Sequence, residues 1–162
     1  MAYEFDLGDL EGPYTDGEGS QIVEFILGVD PEADTVVVMS VILFPTTQED
    51  TLELCFGIRT KAGLELSRVS EPDYGKEGAE KYIPRDRRAD VLAKIMDSAS
   101  SVVSAAMPGL IAMETFYPDL PPEALKKYSL IGASVIVCGY LLEDSFRDDP
   151  SGINYWLFRK RD

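Results

Sequence analysis

Between Gln21 and Val69 the chain consists of β-branched and aromatic runs joined by short turn segments, and no other stretch restricts the fold as strongly. Ile22–Leu27 is closed by Gly28 and by Asp30-Pro31-Glu32-Ala33-Asp34, which is turn chemistry. Thr35–Phe44 is a Val- and Ile-rich run that stops at Pro45. Apolar on both faces, it predicts a central strand covered on both sides, at least in part. Leu52, Leu54, Phe56 and Ile58 then alternate with Glu53, Cys55 and Arg59, so one set faces a core and the other faces away. Thr60-Lys61-Ala62-Gly63 suits a hairpin, after which Leu64, Leu66 and Val69 resume the pattern against Glu65 and Arg68. Strands this close in sequence pair with their neighbours, so residues 21–69 predict a four-stranded antiparallel meander.

The flanking blocks read differently. Residues 1–20 form an acidic, glycine-rich arm, with at most a short strand near Tyr3–Leu7. Residues 70–84 have no apolar period and predict a long loop, a feature that inside a domain tends to be functional or mobile. From Arg85 to Met107, Val91, Leu92, Ile95, Ala99, Val102, Val103 and Ala106 recur at three- and four-residue steps. That is one helical stripe, with Asp86 and Asp90 at its positive end and Pro108-Gly109 stopping it. Leu110–Phe116 fits a strand. Asp119–Glu123 opens a second helix with proline in its first turn, and Gly139 ends it. Tyr140–Arg147 and Ile153–Lys160 flank the turn segment Asp148–Gly152 and predict a closing hairpin. Residues 85–162 are thus a helix-strand-helix-hairpin block. At 162 residues the chain suits a single globular domain, 1–162. Its class is α+β: one mostly antiparallel sheet with two helices packed on a face. The order of elements, a helix followed by a closing hairpin, resembles acetyltransferase-like folds. The Arg/Gln-x-x-Gly-x-Gly/Ala segment that would hold a coenzyme pyrophosphate does not occur, so no family is assigned.

Charge narrows the function. Of 29 acidic residues, 13 lie in residues 1–58, which contain no Lys or Arg, whereas the remainder of the chain is nearly balanced; the net charge is −14. Such a field repels phosphate backbones and anionic lipid surfaces, which argues against direct nucleic-acid or membrane binding. It attracts a basic protein surface. The leading expectation is therefore a non-enzymatic acidic binding module that docks on a basic partner, for example a nucleic-acid-binding protein, as an inhibitor or charge mimic. Its contact residues would be Asp9, Glu11, Asp16, Glu18, Asp30, Glu32, Asp34, Glu49 and Asp50.

Several chemistries find no support. With no histidine, a Ser-His-Asp triad, a Cys-His pair and His-ligated zinc are excluded. Cys55 and Cys138 form no C-x-x-C and read as two reduced thiols of a cytoplasmic protein. The start of the chain has no secretory signal pattern, and the longest uncharged windows are too short or interrupted to span a bilayer. Gly17-Glu18-Gly19 lacks the features of a phosphate loop. The oxygen-rich sets Asp16, Glu18, Ser20 and Asp144, Asp148, Asp149 lack those of a calcium loop. No catalytic residue, metal or cofactor is assigned. Glu24 and Glu114, inside apolar runs, are the acids that burial would adapt to proton transfer.

An alternative expectation is a small-ligand-binding or acyltransferase-like α+β domain. Here Arg85, Arg87 and Arg88 grip an anion at the helix start, Tyr74 and Tyr82 bound the pocket, and residues 70–84 act as a lid. The plainer account has those arginines pairing with acids of the same chain. Ile153–Lys160 is apolar on both faces, so Trp156 and Phe158, or else Tyr155 and Leu157, need cover. Either the second helix supplies it, or a second copy does in a homodimer that buries Trp156 or Phe158.

Overall fold

The computed structural model describes residues 3–63, 68–70 and 75–162. The N-terminal strands are β1 (Glu4–Phe5), β2 (Glu11–Thr15), β3 (Gln21–Asp30), β4 (Thr35–Pro45), β5 (Thr51–Ala62) and β6 (Arg68–Val69). Helix α1 (Lys76–Tyr82), a 3-10 turn at Arg85–Arg87 and helix α2 (Arg88–Ala106) follow. Then come β7 (Leu110–Glu114), α3 (Pro122–Val137), β8 (Tyr140–Asp148) and β9 (Ile153–Lys160). One sheet runs in the order β1-β3-β4-β5-β7-β9-β8, with β2 also on β3 and β6 also on β5. Every pairing is antiparallel except β5 with β7. The α+β class and the mostly antiparallel sheet are therefore as the pattern predicts. No helix among the described residues is long and apolar enough to cross a membrane.

Two expectations about these elements need correction. The arm is not a loop throughout: β2 pairs with β3 across a bulge, using Glu11, Tyr14 and Thr15. All five of its residues are exposed, so β3 supplies the order through its free edge. Residues 70–84 hold a third helix, α1, which docks through Ala79 and Tyr82 on the core despite lacking an apolar period. The meander's fourth strand is present at Arg68–Val69, antiparallel to β5, and Leu64, Glu65, Leu66 and Ser67 lie outside the described residues.

The core lies between one face of the sheet and the helices. Val23, Phe25 and Leu27 of β3 and Val37, Met39, Val41 and Leu43 of β4, strands that contact α2, are buried in one core with Leu54 and Ile58 of β5. That helix contributes Val91, Ile95, Ala99, Val102 and Val103, and α3 adds Tyr128, Ile131 and Val135. Phe158 of β9 is 2% exposed and packs at Gly132 of α3, where a Cβ would stand 3.0 Å from its Cζ. Trp156 stacks on Tyr128 with ring centroids 5.5 Å apart. Helix α3 thus covers Trp156 and Phe158, while Tyr155 and Leu157 lie on the opposite face of β9. Tyr140 ties the ends of both long helices together: its hydroxyl donates to the Pro108 carbonyl at 2.6 Å, and burial pushes it up to about 12.

The three helices among the described residues sit on that side. The other face carries no helix among the described residues, so the Thr35–Phe44 run is covered by helices on one side rather than two.

Candidate functional site

Register defines the uncovered face. Ile22 lies opposite Ile42 and Cys55, Glu24 opposite Ser40 and Gly57, and Ile26 opposite Val38 and Arg59. Residues opposite one another share a face. Phe44 meets Glu53, which in turn meets Ala112 of β7, and Glu114 follows two residues later on the same side. Beyond β7 the face continues through Leu157 and Tyr155 of β9 to Phe146 of β8, stacked on Tyr155. Ile22, Ile26, Val36, Ile42 and Phe44 are half-buried, whereas Glu24, Val38 and Ser40 in the middle of this face are buried, so only its flanks are open.

Two sets of charges occupy this face, and they differ. In the first, Glu24 is 8% exposed, receives Lys61 Nζ at 2.5 Å and accepts the Tyr14 hydroxyl at 2.6 Å. Burial first, and then the hydrogen bond to Glu24, hold the Tyr14 phenol above its ordinary range. Beneath this network Ser40 Oγ and Arg59 Nε are buried without a hydrogen-bond partner. In the second, Glu53 is half-buried beside exposed Glu114, and no ion pair among the described residues involves either. Burial, and next the Glu114 charge, raise the Glu53 carboxyl above its ordinary range.

The acids expected to contact a partner do not form one patch. Successive hairpin turns fall at alternate ends of the strands, so Asp30, Glu32 and Asp34 sit at the β3–β4 turn. Asp16, Glu18, Glu49 and Asp50 sit at the opposite end, where Gly19 lies beside Pro45. The ten residues of β3 separate the two groups by roughly 30 Å. Asp16 Oδ1 accepts the Ser20 and Glu18 amides at 2.9 Å, which lower its pKa, and Asp30 Oδ1 accepts the Glu32 and Ala33 amides at 3.1 Å. Those two acids build turns; Glu18, Glu32, Asp34 and Glu49 are exposed and make no ion pair among the described residues. Asp9 faces Lys94 of α2 at 4.0 Å, and Glu11 stands on β2 opposite Glu24.

The arginine set does not converge on one pocket. Arg87 binds Asp90 at 2.9 Å and lies over the Phe5 ring at 5.0 Å, and Arg85 is exposed on the 3-10 turn. Tyr82 packs edge-on against Tyr3, whose hydroxyl donates to the Tyr82 carbonyl at 3.0 Å. A shallow recess of about 260 Å³ there is lined by Tyr3, Phe5, Lys81 and Tyr82, without Arg85, Arg87 or Arg88. Tyr74 lies outside the described residues. Arg88 instead neighbours Lys127 of α3, a side chain that sequence reasoning missed. Burial, and next the Arg88 charge, lower the Lys127 pKa.

Alternation turns Glu53 outward and so sets it aside in the sequence, and nothing there marks Tyr14 or Lys61, because their roles depend on cross-strand register. The only signal for Glu53 is its place as a lone carboxylate within an alternating strand. Comparison with known proteins adds no name: no family model, curated protein or solved structure matches this chain.

Proposed function

We propose that the protein is a non-enzymatic binding module that docks a basic protein surface on the uncovered face of its sheet. The observation that carries this reading is the half-buried Glu53 carboxylate, held beside Glu114 on an apolar face without a bound cation among the described residues. A desolvated carboxylate next to a like charge costs stability in the free chain, and an incoming Lys or Arg offsets that cost. Phe44, Ile42 and Ile22 supply apolar surface on its side of the sheet, and the acidic turns at both strand ends supply a charged rim. An apolar centre with a polar rim is the usual anatomy of a protein interface. Rim charges act on encounter rate and partner choice more than on final affinity. A nucleic-acid-binding protein offers such a basic surface, so an inhibitor that mimics phosphate charge is the specific form of the proposal.

The test uses an amphipathic helical peptide with Lys and Arg on one side and Leu on the other. Binding is expected to weaken as salt rises, and to fall by roughly tenfold in a Glu53→Gln/Glu114→Gln chain. Neutralising Asp30, Glu32 and Asp34 together, or Glu49 and Asp50 together, should slow association with little effect on dissociation. Affinity indifferent to salt and to Glu53 and Glu114 contradicts the proposal.

Lys127 and Arg88 favour a second reading, a site for a small anion such as a phosphate-bearing ligand. Lys127 has no ion pair among the described residues and sits beside a like charge, an arrangement that an anion would relieve. Inorganic pyrophosphate should then raise the unfolding temperature, and Lys127→Ala should abolish the shift. No shift with the unaltered chain removes this reading.

A further inference from the structure

We propose that two copies of this chain associate edge to edge through β8, continuing the sheet across a two-fold axis. β8 is the last strand of the sheet order, and Leu141 through Arg147 are all exposed along it. Leu141, Leu142 and Phe146 are 50%, 48% and 52% exposed, a large apolar load for a free edge. Leu142, opposite Phe158, is on the helix side, and Phe146, opposite Tyr155, is on the uncovered side. On the helix side the apolar surface extends onto α3 just before β8, through Ile136 and Val137, the latter 84% exposed. A second strand along β8 therefore finds apolar contact on both faces.

Two of the usual guards of a free edge are missing here, although β8 does bulge between Leu142 and Asp144. β8 contains neither Lys nor Pro, and most of its charges are held within the chain. Glu143 pairs with Arg159 at 2.5 Å, and Arg147 pairs with Asp119 and Asp149. Asp144 Oδ1 accepts the Ser145 amide and Asp148 Oδ2 the Ser151 amide.

The distribution of charge identifies a second copy as the occupant. The acid-only segment 1–58 builds the opposite part of the sheet, from β1 to most of β5. Residues 140–162 carry five acids and four bases. Meeting at β8 places two strongly acidic blocks as far apart as the sheet allows. An antiparallel pair of identical edge strands is also self-complementary, as a two-fold interface requires. Trp156 and Phe158 take no part, since both pack towards α3 in each copy.

Sedimentation equilibrium across the micromolar range tests this. The expected mass is near twice 17.9 kDa, falling to 17.9 kDa for Leu142→Lys and for Phe146→Lys, both substitutions at exposed positions. Amide hydrogen exchange on the unaltered chain gives a second readout that does not depend on any variant folding. Outward-facing amides within residues 141–147 should exchange slowly when concentrated and faster on dilution. A mass of 17.9 kDa at every concentration, or a dimer in which β8 amides exchange freely, overturns the proposal.

Discussion

Glu53 and Glu24 are carboxylates on the same face of one sheet, and their surroundings give them different energetics. Glu24 has Lys61 and the Tyr14 hydroxyl within hydrogen-bonding distance, so its charge is compensated where it is buried. Glu53 has Glu114 instead, and burial with that neighbour raises its pKa. The folded chain therefore holds the Glu53 proton more tightly than the unfolded chain does. Its contribution to stability is greatest below the ordinary carboxylate pKa of about 4.3 and is lost as pH rises through the raised value. At neutral pH the side chain is a net cost. Glu53→Gln should consequently unfold at a higher temperature than the unaltered chain at pH 7, with the difference closing near pH 4. Equal unfolding temperatures at both pH values would remove the physical basis for a docking residue here. The gain would come with weaker binding of a basic partner, a trade between stability and activity that is common at functional sites.

At the scale of elements, Gly132 sets how closely α3 approaches the sheet. A side chain there meets Phe158, which is already enclosed, so Gly132→Val should destabilise the chain by about 1–3 kcal/mol in urea unfolding despite replacing a helix glycine. A variant as stable as the parent would mean that α3 has room to move. Strands β3, β4 and β5 were legible because β-branched runs, the alternation of β5 and the turn residues agree over Gln21–Ala62, and α2 because its apolar stripe spans more than four turns. The two missed elements have no such signal. Gly12 and Pro13 argue against a strand in β2, and the single fully buried residue of α1 is Gly78. Their order comes from pairing and docking, which depend on residues far away in sequence. The same limit applies to the site. The excess of carboxylates was plain from counting, but only the hairpin connections show that it divides between two ends. Val36 and Ile42 also look no different in sequence from Val37 and Val41, which point the opposite way into the core.

Across the whole molecule, the sheet has an acidic side, from β1 to β5, and a nearly neutral side at β8 and β9. With the three described helices on one face, the acidic side keeps a second face without helical cover among the described residues, while the neutral side ends in the free edge of β8. Partner docking and self-association thereby occupy different parts of one sheet, and neither requires the other. Amide chemical-shift mapping during titration with the basic amphipathic peptide tests the docking claim most directly. The account predicts that shifts concentrate on β3, β4 and β5 around Ile22, Ile42 and Glu53, extend to Ala112 and Glu114, and disappear in the Glu53→Gln/Glu114→Gln chain. Shifts centred on α2 and α3, or confined to the acidic turns at the strand ends and untouched by those two substitutions, would contradict it.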